Sequence, residues 1–335
     1  MKFEFKKPHL SLDFLDRISP FKPSYPVFAA EVSRKYLVLV RMRKEKDGWH
    51  LGNYIIKALP EDAVGQSIFH PEIHDREALM KVIKDALFQI GFKTPRLSLV
   101  IPDNIVRVSL LNFQEIPSNR RQLMEMIKWK LKRSIPFKLE DANISYQVLG
   151  NTANDRERVI LVSLMLKSIL RQYEELFQEM DMRAGLIDIA TFGIHNLYRR
   201  AMEEMTDIAL LNFSCNYFTF LIFRQGNMMF FRCKNYQAHE GMDEDEVMRS
   251  LKRELTTSLS YYSEKLSGKG LEKVYIRSAS YPAERIVSLV GEIGLEEYEI
   301  IDPSAIVHFD GFPNCDHESK QKLTPAIGAI VGRIE

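Results

Sequence analysis

The sequence predicts an α/β protein of two similar lobes, with a small α/β subdomain inserted between the two halves. First, both halves of the chain give the same order of elements, which is three strands, a helix and a strand. Second, residues 102–166 add a strand, a helix and two strands between these halves. Third, 335 residues exceed the usual length of one domain, and a hydrophobic fraction of 45% is enough for a real core.

Composition narrows the class of protein. The chain has 46 basic and 45 acidic residues and a net charge of +1, so nucleic acid is not expected as a partner. Cys215, Cys233 and Cys315 show no paired spacing and are predicted to be free thiols in a reducing compartment. The longest apolar run, residues 208–223, is interrupted by polar residues, and the N-terminus lacks an apolar signal core. A soluble, cytoplasmic protein is therefore expected.

The first lobe begins after an N-terminal arm. Residues 1–26 contain four prolines and mixed charge, which favours an extended arm packed on the body. Apolar residues 27–42 predict paired strands, and Gly48 fits the turn into a third strand. Residues 76–90 have helical apolar spacing between an Asp75 N-cap and a Gly91 C-cap. With a buried strand at 97–101, residues 27–101 are predicted to form the core of this lobe.

The middle of the chain alternates helices and strands. Strands are predicted at 106–111, 144–149 and 159–164, with a helix at 120–132, and these make up the inserted subdomain 102–166. A helix at 168–182, a strand at 185–189 and a helix at 191–200 then return to the first lobe and lead into the second, giving a connecting region 167–206.

Residues 207–335 are predicted to form the second lobe. Strands at 208–213, 218–223 and 228–233 precede a helix at 244–266, a strand at 274–276, a helix at 283–291 and a strand at 297–301. Only the order of elements, and no sequence identity, links the two halves. That order is the one expected of a duplicated ribonuclease-H-like fold, the actin-like architecture shared by actin and sugar kinases.

A family resemblance comes from residues 123–150, LMEMIKWKLKRSIPFKLEDANISYQVLG. An aromatic residue inside a basic helix is followed by Ile135-Pro136-Phe137, then by Glu140-Asp141, then by the strand Tyr146-Gln147-Val148-Leu149. This order resembles the PilM family, the cytoplasmic actin-like components of type IV pilus assembly machines. The resemblance covers residues 27–333 and is strongest at 123–198 and in LTPAIGAIVGR at 323–333. It implies that the insertion is a subdomain of the type found in FtsA and PilM.

The resemblance also implies three glycine-bearing nucleotide loops, and all three are altered here. The first loop, with the family pattern Asp-Ile-Gly-Ser-Ser, is Glu31-Val32-Ser33-Arg34-Lys35; the second, Asp-Ile-Gly, is Asn212-Phe213-Ser214; the third, a glycine run, is Arg277-Ser278-Ala279-Ser280. Glycine lets backbone amides approach phosphates closely. We therefore expect no nucleotide cofactor and no enzyme activity, hence a pseudo-ATPase. The alternative is an active actin-like ATPase in which Arg34 and Lys35 replace the backbone ligands.

Other candidate sites are weak in the sequence. His70 and His74 have helical metal spacing but enclose Pro71, and the turn at 267–270 lacks most of a phosphate-loop pattern. The densest group of possible ligands, at 308–317, matches no familiar metal motif and is expected to be a surface loop. No serine or cysteine triad stands out. The sequence thus predicts no catalytic residue and no metal site.

The function implied by the resemblance is that of a non-catalytic scaffold. Such a protein would bind the cytoplasmic N-terminal peptide of a PilN-like inner-membrane protein, in a groove between the first lobe and the insertion. It would lie at the inner face of the inner membrane, with pilus motor or platform proteins as further possible partners. The candidate peptide-binding residues are Lys128, Lys132, Ile135, Pro136, Phe137 and Tyr146.

Two alternatives stay open on these residues. Phe137 and Tyr146 are equally consistent with core positions, and the lysines with a solvated helix face. A GspL-like cytoplasmic domain of type II secretion has a related fold, but that protein continues into a transmembrane helix. This chain ends at Glu335 just after its last amphipathic helix, which disfavours the second alternative.

Overall fold

The computed structural model describes residues 26–65, 67–69, 73–91, 93–135, 137–151, 158–203, 205–236 and 243–332. Apart from Pro26, the predicted N-terminal arm lies outside these residues, as does Pro136. The described residues contain these strands and helices, in chain order: β1 Phe28–Val32, β2 Tyr36–Lys44, β3 Trp49–Ala58, α1 Arg76–Ile90, β4 Arg96–Ile101, β5 Arg107–Phe113, α2 Arg120–Leu131, β6 Ala142–Asn151, β7 Arg158–Leu166, α3 Lys167–Gln178, β8 Arg183–Ile189, α4 Ala190–Glu203, β9 Asp207–Phe213, β10 Tyr217–Arg224, β11 Asn227–Asn235, α5 Glu244–Lys265, β12 Lys273–Ser278, α6 Ala283–Gly291, β13 Tyr298–Ile300 and α7 His317–Val331.

The first lobe contains a five-stranded sheet in the order β3-β2-β1-β4-β8. β1 pairs antiparallel with β2 and parallel with β4, and β4 pairs parallel with β8. Helix α1 packs its apolar face on this sheet. Its predicted caps are confirmed, because the Asp75 side chain accepts a hydrogen bond from the amide of Ala78 and Gly91 ends the helix at a φ of 63°.

The second lobe repeats this topology. Its sheet has the order β11-β10-β9-β12-β13, with antiparallel pairing among the first three strands and parallel pairing of β9 with β12 and of β12 with β13. Strand by strand, this matches the sheet of the first lobe. The repeat predicted from the order of elements is therefore confirmed, while the domain boundaries given above stay predictions.

The segment between the lobes forms a separate three-stranded antiparallel sheet, β5-β7-β6. Helix α2 covers one face of it, where Leu123, Ile127 and Leu131 join a buried cluster with Ile160 and Val162. Helical three- and four-residue spacing places the three α2 residues on one side of the helix. Leu161, between two members of this cluster on β7, belongs instead to the central core beneath the other face.

Two helices cross at the centre of the molecule. α7 packs against β1, β2 and β4 of the first lobe and against α4, which leads into the second lobe. The backbones meet at Gly193 of α4 and Gly328 of α7, where a Cβ atom on Gly328 would lie 1.8 Å from the carbonyl oxygen of Gly193. Only glycine permits this approach. Within the described ranges, no helix has both the length and the apolarity that crossing a bilayer requires.

Candidate functional site

Arg277 lies between the two lobes, in the third of the altered loops. Its side chain is completely buried. The guanidinium donates from Nη2 to the Tyr36 hydroxyl of the first lobe at 2.9 Å and from Nη1 to Asn212 Oδ1 of the second lobe at 2.9 Å. Its Nε donates to the carbonyl oxygen of Gln321 in α7 at 2.8 Å. A charged group this deeply buried requires such partners, and here they come from both lobes and the last helix.

Glu31, at the end of β1, completes the charge pattern around Arg277. Its carboxylate lies 3.9 Å from Arg277 Nη2 and accepts a hydrogen bond from the Tyr36 hydroxyl at 3.4 Å. Burial raises the pKa of Glu31 to about 7, and the positive charge of Arg277 opposes this rise. The acidic residue of the first loop is therefore engaged with a protein cation.

A second polar cluster surrounds Asp103, which is also buried. Its carboxylate accepts hydrogen bonds from the Thr191 amide at 2.9 Å, from Thr219 Oγ1 at 2.6 Å and from Asn212 Nδ2 at 3.2 Å, and it also contacts the Thr191 hydroxyl. Burial raises the pKa of Asp103, and these hydrogen bonds oppose the rise. Because Asn212 bonds to both Asp103 and Arg277, one continuous network joins α4, the second sheet and the first sheet.

The side chain of Ser33 hydrogen-bonds to the backbone of the first altered loop. Ser33 Oγ accepts hydrogen bonds from the amides of Lys35 at 3.3 Å and Tyr36 at 3.0 Å, and donates to the Tyr36 carbonyl oxygen at 2.9 Å. These amides are the donors that a glycine-bearing turn would offer to a phosphate. Arg34 points to Asp62 at 3.1 Å, on the surface.

The third altered loop is also internally bonded, since the Ser278 amide donates to Gln321 Oε1 at 3.0 Å. The guanidinium of Arg277 and the amide of Asn212 are likewise bonded to other protein groups. The acidic residue of the first loop, Glu31, is hydrogen-bonded to Tyr36, and the second loop carries the amide of Asn212 in place of an acid.

A groove runs between the inserted sheet and the first lobe. It encloses a cavity of about 580 Å³ bordered by β6 and β7 on one side and by β8 and α4 on the other. β6 and β8 are edge strands of their respective sheets. Lining side chains include Ser145, Gln147, Leu149, Leu186, Ile187 and Phe192. An edge strand beside apolar pockets is a suitable surface for an extended peptide.

Among the predicted peptide-binding residues, Tyr146 lines this groove and also packs on the cluster under α2. Ile135 and Phe137 pack on the same α2 cluster, and the Phe137 ring lies 6.4 Å from that of Phe69 in an edge-on arrangement. Lys128 pairs with Glu125 at 2.8 Å, and Lys132 is exposed at the end of α2. The structure thus brings most of these residues together around α2, and their role in binding stays a prediction.

The family model described as type IV pilus assembly protein PilM matches residues 30–250, which is more than half of the chain. This chain belongs to the PilM family. No curated protein sequence matches it.

Several solved structures are similar to this PilM family member. The PilM–PilN type IV pilus biogenesis complex matches with a TM-score of 0.75 at 14% identity, over 91% of this chain and 97% of that chain. A Bacteroides thetaiotaomicron protein with an actin-like ATPase fold matches with a TM-score of 0.47 at 10% identity, over 82% and 90%. The cytoplasmic domain of EpsL, from the type II secretion system of Vibrio cholerae, matches with a TM-score of 0.45 at 11% identity, over 82% and 84%. The first match confirms the predicted fold class.

The altered loops are visible in the sequence of this PilM family member. The buried hydrogen-bond network around Arg277 and Asp103 that joins them is not. Asp103 follows a strand and gives no sign of its burial. Arg277 does give a sign of its burial, because it directly follows the apolar run Val274-Tyr275-Ile276. If that run is a buried strand, the charge of Arg277 lies inside the protein. A lone arginine in such a run is a signal for a buried ion pair.

Proposed function

We propose that this protein is a non-catalytic scaffold of a type IV pilus assembly machine. In this role its groove binds the cytoplasmic N-terminal peptide of a PilN-like inner-membrane protein. The protein is then cytoplasmic and held at the inner face of the inner membrane through that partner. Support comes from membership of the PilM family and from the likeness in fold to the PilM–PilN complex structure.

The observation that carries the binding proposal is the groove beside β6. Ser145 and Gln147 are exposed on this strand, while Leu186 and Ile187 of β8 are partly buried across the cavity. An extended peptide would pair with the backbone of the edge strand and place alternate apolar side chains among these residues.

The non-catalytic part of the proposal rests on the cleft between the lobes. Arg277 occupies the space between Tyr36 and Asn212, and Ser33 takes up the turn amides. Binding of a nucleotide in this cleft would require the buried hydrogen bonds from Arg277 to Tyr36 and Asn212 to break. Each buried polar group that loses its partner in this way costs about 1–3 kcal/mol.

The proposal is tested by titrating a labelled PilN-like N-terminal peptide against folded variants. Ser145→Trp adds bulk at an exposed groove position and is expected to weaken binding by about tenfold or more, since 1.4 kcal/mol corresponds to tenfold. Phe137→Ala and Lys128→Glu/Lys132→Glu test the residues around α2, where loss of an apolar hot spot costs more than about 1 kcal/mol. Circular dichroism checks the fold of each variant.

The two sets of variants separate the possible locations. Weakening by Ser145→Trp alone places the peptide in the groove, whereas weakening by the α2 variants alone places it on the opposite side of the inserted sheet. Failure of the wild-type protein to bind the peptide would contradict the proposed function.

A further inference from the structure

A cluster of metal-ligating side chains lies away from both the groove and the cleft. It joins Asp47 and His50, at the turn between β2 and β3, to His308 in the segment before α7. The possible ligand atoms of these three residues all lie within 4.8 Å of one another. His50 Nε2 is 3.0 Å from Asp47 Oδ1, and the two imidazole rings stack with centroids 4.4 Å apart.

A fourth residue orients His50. Its Nδ1 atom lies 3.3 Å from Asp310 Oδ2, so one carboxylate holds each ring nitrogen. A histidine that binds a metal through one nitrogen normally donates its other N–H to a carboxylate, carbonyl or water. Asp310 is placed to accept that hydrogen bond while Nε2 faces Asp47.

The backbone around the cluster is already fixed. The amide of His308 donates to the carbonyl oxygen of Trp49 at 2.8 Å, and the amide of Leu51 donates to the carbonyl oxygen of His308 at 2.8 Å. Gly48 has a φ of 145°, and a Cβ atom there would lie 3.4 Å from His308 Nε2. Glycine therefore permits the turn and keeps the space beside this imidazole open. On this backbone His50 is buried, while Asp47 and His308 are exposed side chains with their ligand atoms close to it.

We propose that Asp47, His50 and His308 bind one divalent transition-metal ion of the zinc class, with Asp310 as a positioning residue. Two imidazoles and a carboxylate form a ligand set known for zinc, and imidazole favours zinc, copper or nickel over magnesium. Asp47 and His50 belong to the first lobe and His308 to the segment that leads from the second sheet to α7. The ion fastens this crossing segment to the β2–β3 turn, and its binding does not depend on the groove.

The test uses the full chain without an affinity tag, titrated with zinc by isothermal calorimetry. Wild-type protein is expected to bind one ion and to gain thermal stability with increasing zinc. His308→Ala removes an exposed ligand and is expected to abolish both effects, and Asp310→Asn is expected to weaken binding by about 10- to 100-fold. His74→Ala, at another exposed histidine, is the matched control and should bind as the wild type does.

Cobalt substitution identifies the ligands. Binding through nitrogen and oxygen gives visible ligand-field bands without the strong thiolate charge-transfer band that cysteine would produce. Absence of saturable zinc binding in the wild type, undiminished binding in His308→Ala, or a thiolate band in the cobalt protein would each overturn the proposal.

Discussion

At the scale of single residues, Arg277 determines the character of the cleft. A buried guanidinium is costly to desolvate, and it persists here because three acceptors from different elements surround it. The same atoms that satisfy Arg277 tie Tyr36 in one lobe to Asn212 in the other. The residue that replaces a glycine-rich loop is thus a structural link between the lobes.

Replacing Arg277 by methionine tests this link. Arg277→Met leaves the acceptors on Tyr36, Asn212 and Gln321 without their buried donor. Each such group costs about 1–3 kcal/mol, so the free energy of unfolding is expected to fall by about 3 kcal/mol or more. Arg285→Met is the matched control, because Arg285 is exposed and its ion pairs with Glu244 and Asp245 contribute about 0–1 kcal/mol. Urea denaturation measures the free energy of unfolding of both variants. An equal decrease in the two would contradict the structural role of Arg277.

Glu31 makes the stability of the folded protein depend on pH. Its folded pKa of about 7 lies above the ordinary value of 4.5, so the folded protein retains a proton that the unfolded chain loses. The stability contributed by protonated Glu31 is therefore present below about pH 4.5 and is lost as pH rises to about 7.

Glu31→Gln removes this titration while keeping the shape of the side chain. The stability of the wild type relative to this variant is expected to fall by up to about 3 kcal/mol between these pH values, at 1.36 kcal/mol per pKa unit. Unfolding free energies measured across the range give the difference curve. A flat curve would show that Glu31 does not change its protonation on folding.

At the scale of elements, sequence predicted the strands and helices well because their apolar periodicity is local. The caps of α1 are an example, since Asp75 and Gly91 act within one turn of the chain. The sequence could not show which face of β6 packs against α2. Alternation separates Tyr146 from Ser145 and Gln147. Only the structure shows that Tyr146 packs on the cluster under α2 and that all three residues border the groove.

The crossing of α4 and α7 depends on glycine at the contact. Gly328→Ala is expected to destabilise the protein by about 1–3 kcal/mol or more, because its methyl group meets the Gly193 backbone and the helices must separate. Gly291→Ala is the control, since a Cβ there meets nothing within 4 Å and alanine favours helix. Thermal melts compare the two, and a neutral Gly328→Ala would show that the helices can move apart at no cost.

At the scale of the whole molecule, the duplicated topology could be predicted from the order of elements, because each half repeats strands, helix and strand. Contacts between distant segments could not. Asp103 contacts Thr219, 116 residues further along the chain, and His50 contacts His308, which lies in the other half of the chain. Local periodicity carries no information on such pairs. The buried network around Arg277 and Asp103 and the cluster of Asp47, His50 and His308 are therefore visible only in the structure.

The last prediction concerns nucleotide binding by the assembled cleft. A nucleotide bound with a Kd of ~10 µM would stabilise the protein by about 2.7 kcal/mol at ~1 mM, a hundredfold excess. Ser33 already accepts a hydrogen bond from a backbone amide of the first loop, and Arg277 is bonded to Tyr36 within the cleft. We therefore expect Mg-ATP to leave the melting temperature unchanged. An actin-like protein that binds ATP serves as positive control in the same assay. A magnesium-dependent shift, lost in Arg34→Ala/Lys35→Ala, would instead support an ATPase whose phosphate ligands are side chains of the first loop.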